Sequence, residues 1–241
     1  MSEIIHFPNW ATSANGQSIQ LFASHHFVDL SNNDNSLANE SLIFIGGVHG
    51  DEPEGVHVAQ KLLEWLQKNH KKVKHPWILI PCLNVDGYQK NIRMNGHGVD
   101  LNRNYPSQNW SNEFSQKRYY PGPHPGSEPE IQSMVELIET IQPKWIFHFH
   151  SWKPCVVLTG DPAQSAAKVL CISSGFELKK DIGYPTPGSL SSYGWHDHKI
   201  PVLCLEADDS KPIAESWQRF GQGLINILIN DELGLTIPKG Q

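Results

Sequence analysis

Short apolar runs recur along the chain and predict buried strands. Each run is only a few residues long and is apolar at successive positions, which is typical of strands covered on both faces of a sheet. Extended chain is also predicted at 18–30, after the turn signal Asn15-Gly16. The four runs lie at 42–48, 77–83, 145–149 and 201–205.

Segments with helical periodicity alternate with these runs. Apolar residues spaced at i, i+3, i+4 and i+7 predict one buried face for each of three helices. Ser127 and Glu130 are spaced as a capping box that opens the second helix. This alternation predicts an α/β fold, with an open, mostly parallel or mixed sheet and helices on both faces. The three apolar stripes are Ala59, Leu62, Leu63 and Leu66; Ile131, Met134, Val135 and Ile138; and Ile213, Trp217, Phe220 and Leu224.

Composition narrows the class of protein. A chain of 241 residues with 39% hydrophobic residues fits one globular domain over 1–241, and it excludes disorder as a description of the whole chain. The Asn/Ser-rich stretch 31–39 is predicted to be a polar surface loop. A net charge of -6 argues against nucleic acid as the main partner. Nothing in the sequence indicates the oligomeric state.

The sequence also suggests a compartment. No apolar run approaches the ~18–20 residues that a membrane helix needs, so no membrane partner is expected. Residues 1–10 lack the basic start and apolar stretch of a signal peptide. The four cysteines are scattered, without a C-x-x-C pair. We therefore expect a protein of the reducing cytoplasm.

Polar residues follow each of the four apolar runs. They lie at 49–52, 84–87, 148–151 and 206–208, and they include histidines and carboxylates. In open α/β sheets, ligands bind beyond the carboxyl ends of the strands. The sequence therefore predicts one site at which these side chains converge, and imidazoles near carboxylates suggest a metal ion.

His49, Glu52 and His150 are the predicted metal ligands. His49 and Glu52 are three residues apart, directly after a strand, and nearby glycines allow a sharp turn there. Two histidines and one glutamate leave a fourth position open for water, as in catalytic zinc sites. His148 competes for the third position, since it faces the same way on a strand as His150. We favour His150 because it lies nearer the carboxyl end of the strand.

The segment 84–106 carries a family resemblance. It reads N-V-D-G-Y-Q-K-N-I-R-M-N-G-H-G-V-D-L-N-R-N-Y-P. Together with His49-x-x-Glu52, the triplet His150-Ser151-Trp152 and Glu206, it resembles the carboxypeptidase A-like zinc metallopeptidases. The stretch 183–190 is most similar to the small bacterial murein peptide amidases of that family.

The resemblance implies a role for each matching residue. His49, Glu52 and His150 would hold one zinc ion per chain, and Asp100 would orient the first histidine. Asn102 and Arg103 would bind the terminal carboxylate of a small anionic peptide. Arg93 would stabilise the oxyanion, and Glu206 would be the catalytic base. The tyrosine that caps the substrate in the family has two candidates here, Tyr184 and Tyr193.

Three functions remain open at this point. The first is a zinc carboxypeptidase or amidase, whose murein version would cleave the γ-D-glutamyl–diaminopimelate bond of recycled cell-wall peptides. The second is a zinc deacylase of N-acyl amino acids, similar to aspartoacylase or succinylglutamate desuccinylase. The third is a binding protein on a peptidase scaffold, which the retention of all ligands and of Glu206 disfavours. The sequence does not predict the side chain preferred at the cleaved residue.

Overall fold

The computed structural model describes residues 4–27, 29–30 and 40–230, so the loop predicted at 31–39 lies outside the described residues. In chain order, the strands span Ile4–Thr12 (β1), Ser18–Ser24 (β2), Leu42–Ile45 (β3), Trp77–Ile80 (β4), Trp145–Trp152 (β5), Cys155–Thr159 (β6), Leu178–Lys179 (β7) and Val202–Asp208 (β8). They form one sheet in the order β1-β2-β4-β3-β5-β8-β6-β7. The neighbours β4, β3, β5 and β8 run parallel. Antiparallel pairing attaches β2 to β4 and β6 to β8.

Helices cover both faces of this sheet. They span Pro53–Asn69 (α1), Val85–Lys90 (α2), Pro129–Ile141 (α3), Gln164–Ser174 (α4) and Ile213–Ile229 (α5). On one face, α1, α4 and α5 share a buried apolar cluster with Leu42 and Phe44 of β3. On the other face, α3 shares a second buried cluster with Ile43 and Ile45 of the same strand. The predicted α/β class is confirmed, and none of the described helices is long and apolar enough to cross a membrane.

The start of α3 differs from the sequence prediction. The helix begins at Pro129, its N-cap is Glu128, and no side chain makes a capping bond there. The hydroxyl of Ser127 instead donates to Glu128 at 2.7 Å and accepts from the amide of Asn104 at 2.9 Å. The predicted capping box was therefore wrong, because a tertiary contact takes the serine that would have capped the helix.

The two strands that carry the site are longer than the apolar runs predicted. β5 continues to Trp152 and β8 to Asp208, so His148, His150 and Glu206 lie within strands. In the parallel register, His150 is paired with Glu206 and His148 with Cys204. This register sets an imidazole beside a carboxylate at the carboxyl end of the sheet.

Candidate active site

A glycine-rich turn after β3 carries the first part of the site. Gly47 has a φ of 60°, a region that favours glycine. A Cβ on Gly50 would lie 2.0 Å from the carbonyl carbon of Gly87, so only glycine fits this close approach. α1 then begins at Pro53, with Glu52 as an N-cap residue whose side chain makes no capping bond. The Glu52 carboxylate instead turns back toward the end of the sheet.

His49, Glu52 and His150 meet at one point. Nδ1 of His49 lies 2.7 Å from Oε1 of Glu52, and Nδ1 of His150 lies 2.7 Å from Oε2 of the same carboxylate. The two Nδ1 atoms are 3.0 Å apart. Two imidazole nitrogens and one carboxylate that converge in this way are the donor types of a catalytic zinc site. The residues present thus fit a zinc ion.

Asp100 lies behind His49 and links it to Arg93. Its Oδ1 is 3.2 Å from Nε2 of His49, and its Oδ2 accepts from Nε of Arg93 at 2.9 Å. Arg93 also donates from Nη1 to Glu52 Oε1 at 3.2 Å. A carboxylate on Nε2 favours the tautomer in which Nδ1 of His49 is free for a metal.

The buried charges of this cluster shift one another's pKa. Burial alone would raise the pKa of the Asp100 carboxyl, but Arg93 and His49 lower it far below its usual value. Burial also opposes ionisation of Glu52, yet His49 and His150 hold its pKa well below the ordinary value. Both carboxylates are therefore ionised at neutral pH, as a cation site requires.

Glu206 lies next to His150 on β8. Its side chain is buried, and Oε1 accepts from the thiol of Cys204 at 3.3 Å. Burial raises the pKa of Glu206, while His150 lowers it and Glu52 raises it further. A carboxylate with a raised pKa is suited to take and return a proton.

Arg103 and Asn102 line the same cleft as the ligand cluster and Glu206, and this cleft has a volume of about 590 Å³. Arg103 is only 6% exposed, and it donates from Nη1 to the backbone carbonyl of Asn102 at 2.7 Å. Among the described residues, no carboxylate forms an ion pair with it. Oδ1 of Asn102 accepts from the backbone N–H of Leu190 at 3.0 Å, so the side-chain amide nitrogen remains available to a ligand.

A family model described as zinc carboxypeptidase matches residues 2–169, more than half of the chain. The chain belongs to the zinc carboxypeptidase family. It is therefore a zinc peptidase, a hydrolase, and the binding protein without activity is no longer a candidate.

The chain is also similar in sequence and in structure to individual members of this family. Murein peptide amidase A of Escherichia coli K12 is 36% identical over 171 residues, which cover 66% of this chain and 67% of the relative. The protein of the same name from Vibrio campbellii is 30% identical over 181 residues, or 70% of each chain. The crystal structure of murein-tripeptide amidase MpaA from Escherichia coli O157 matches with a TM-score of 0.72 and 25% identity, over 95% of this chain and 92% of that one.

The structure separates the two tyrosine candidates. Tyr184 is 39% exposed and lines the cleft, where its ring lies 6.0 Å from that of Trp152. Tyr193 is buried, and its hydroxyl donates to Glu139 at 2.9 Å. Of the two, only Tyr184 is placed to touch a substrate.

Sequence reasoning missed a cluster around Tyr119. The guanidinium carbons of Arg93, Arg103 and Arg118 lie 5.2, 5.7 and 5.6 Å from the centre of its ring. Arg118 also pairs with Asp51 at 3.3 Å. Residues 117–119 lie in a short 3₁₀ turn outside any apolar pattern, and the Arg-Tyr-Tyr triplet is the one signal that marks them.

Proposed function

We propose that this chain is a zinc-dependent amidase that cleaves the amide bond next to a free carboxylate. The observation that carries the proposal is the buried Arg103, which has no carboxylate partner among the described residues and faces the same cleft as the ligand cluster. A buried guanidinium that no carboxylate contacts directly is costly, and a substrate carboxylate would make that contact.

His49, Glu52 and His150 would hold the zinc ion through the two Nδ1 atoms and the Glu52 carboxylate, which converge in the structure. When bound, zinc supplies Lewis acidity, which polarises a carbonyl group and lowers the pKa of water. Asp100 fixes His49 in the ligating tautomer from its position 3.2 Å from Nε2. This ligand set is the one that the sequence predicts, with His150 rather than His148 in the third position.

Glu206 would act as the general base and then as the acid. Its carboxylate would take a proton from the attacking water and pass it to the nitrogen of the departing amine. Arg93 would stabilise the negative charge that develops on the carbonyl oxygen. Two carboxylates hold Arg93, which keeps its guanidinium fixed before the reaction begins.

Arg103 and Asn102 would position the leaving half of the substrate. The planar guanidinium binds a carboxylate through two parallel hydrogen bonds, which lysine cannot reproduce. The amide nitrogen of Asn102 would add a third donor. Tyr184, at the edge of the cleft, would cover the bound peptide.

The murein tripeptide L-Ala-γ-D-Glu-meso-diaminopimelate is the proposed substrate, cut before diaminopimelate. Support comes from the relatives named murein peptide amidase A and murein-tripeptide amidase. The whole chain would serve as one catalytic domain in the cytoplasm, on peptides recovered from the cell wall. All four cysteines are free thiols, which suits a reducing compartment.

A substrate panel tests this proposal. Zinc-loaded protein should cleave the tripeptide with a higher kcat/KM than its α-linked isomer and than α-linked peptides ending in Phe, Leu, Lys or Glu. N-acetylaspartate and N-succinylglutamate should be poor substrates, and a Glu206→Gln sample reports the background. Faster cleavage of an α-linked peptide would reject the murein substrate and leave a zinc carboxypeptidase. Faster cleavage of an N-acyl amino acid would favour the deacylase.

A further inference from the structure

A second row of side chains lies directly beneath the site on β5 and β8. His148 and Cys204 are paired in the parallel register, two residues before the pair His150 and Glu206. Since alternate residues of a strand face the same way, His148 and Cys204 lie on the same face of the sheet as His150 and Glu206. Both His148 and Cys204 are buried.

His148 touches the third proposed ligand through one specific atom. Its Nδ1 lies 2.9 Å from Nε2 of His150, and the two rings are nearly perpendicular, at 89°. The other nitrogen of His150, Nδ1, faces Glu52 and His49. Both nitrogens of His150 are therefore engaged, one by the metal cluster and one by His148.

The direction of this hydrogen bond decides which nitrogen of His150 carries the proton. If His148 donates from Nδ1–H, Nε2 of His150 must accept, and a neutral His150 then has its proton on Nδ1. That tautomer offers no lone pair at Nδ1, the nitrogen that faces Glu52 and His49. If His148 accepts at Nδ1, the proton lies on Nε2, and Nδ1 of His150 is free to bind the ion.

We infer that His148 is a positioning residue, which accepts the Nε2–H of His150 and so holds Nδ1 toward the metal. This inference rests on the ligand set of the proposed function. His148 would do for His150 what Asp100 does for His49, with a neutral imidazole in place of a carboxylate.

The other nitrogen of His148 supports a role beyond packing. Nε2 is buried and makes no hydrogen bond within the described part of the chain. When His148 accepts at Nδ1, its neutral ring carries the proton on Nε2. A buried donor without an acceptor lowers stability. An apolar side chain at this position would avoid that cost.

A competing interpretation makes His148 a ligand itself. His148, His150 and Cys204 also have potential ligand atoms within 4.8 Å of one another. His150 would then turn its Nε2 to the ion, and His49 and Glu52 would be dispensable. Zinc affinities of matched variants separate the two arrangements.

The test measures the zinc dissociation constant by chelator competition and the melting temperature of the metal-free protein. We expect His148→Leu to weaken zinc binding by ~10–100-fold, the usual effect of losing such a partner. His148→Asn keeps an acceptor near the position of Nδ1 and should restore most of the affinity. Ile146→Ala, two residues earlier on the same face of β5, is the matched control: it should lower the melting temperature and leave zinc affinity unchanged.

NMR of ¹⁵N-histidine-labelled, zinc-loaded wild-type protein gives a second readout that needs no variant. It should show His150 with its proton on Nε2 and His148 with Nδ1 unprotonated. A proton on Nδ1 of His148, or wild-type zinc affinity in His148→Leu, would overturn the inference. Loss of zinc in His148→Leu with retention in His49→Ala would make His148 a ligand. Retention of zinc in His49→Ala and in His150→Ala alike would instead reject the ligand set of the proposed function.

Discussion

Replacing Glu206 with glutamine is expected to lower kcat by ~10²–10⁴-fold while the protein still binds one zinc ion, since this is the usual contribution of a general base. Glutamine has the same shape but cannot accept a proton. Glu206 lies beside His150 in the sheet register and is not among the three convergent ligands. The expected defect is therefore one of proton transfer, with metal binding intact.

Asp209→Asn is the matched control for Glu206→Gln. Asp209 is a carboxylate that lines the same cleft, three residues further along the chain, and it has no role in the proposed reaction. The Asp209→Asn variant should therefore retain activity near that of the wild type. Near-normal turnover in Glu206→Gln would remove Glu206 from the mechanism.

The second large effect concerns Arg103 and the charge on the substrate. The wild-type protein should cleave a peptide with a free carboxylate ~10²–10³-fold more efficiently than its amidated form, since hydrogen bonds between charged groups contribute about 1.5–3 kcal/mol each. Arg103→Met should lose most of this preference, because the neutral side chain no longer distinguishes the two ends. The measurement is kcat/KM for both substrates with both proteins.

Arg118→Gln controls for a general loss of positive charge in the cleft. Arg118 lies over the same tyrosine as Arg103, but it already pairs with Asp51. Its substitution should leave the preference for the free carboxylate in place. Equal cleavage of the two substrates by the wild-type protein would show that Arg103 does not recognise the substrate carboxylate.

Much of the fold could be predicted because buried strands and helix faces produce a regular spacing of apolar residues along the sequence. Each of the apolar runs became a strand, and the three apolar stripes lie on α1, α3 and α5. The prediction was wrong for Ile213, which is 43% exposed because it is the first residue of α5, whereas Phe220 and Leu224 are buried. The strands toward the two ends of the sheet order were harder to predict. β6 and β7 are short and pair only through distant contacts, and half-buried β1 lacks a clear alternation.

In the site too, residues marked by their sequence neighbours could be predicted, and contacts that depend on the tertiary fold could not. The sequence alone indicated four site residues, His49, Glu52, His150 and Glu206. They are polar residues at the ends of buried strands, where an unpaired polar side chain would lower stability. The contact between His148 and His150 could not be assigned in this way, because strand geometry says which way both side chains face and not which nitrogen meets which partner. Arg118 and Tyr119 reach the cleft from a turn whose position depends on the whole fold.

The most direct test of the zinc assignment is a titration of the metal-free protein in which bound zinc and hydrolysis of the murein tripeptide are followed in the same samples. Activity should rise in proportion to bound zinc and reach its plateau at one equivalent per chain. His49→Ala and His150→Ala should neither bind that equivalent nor gain activity. Full activity in metal-free protein, or wild-type zinc binding by both variants, would contradict the central claim that His49, Glu52 and His150 hold the ion on which the amidase depends.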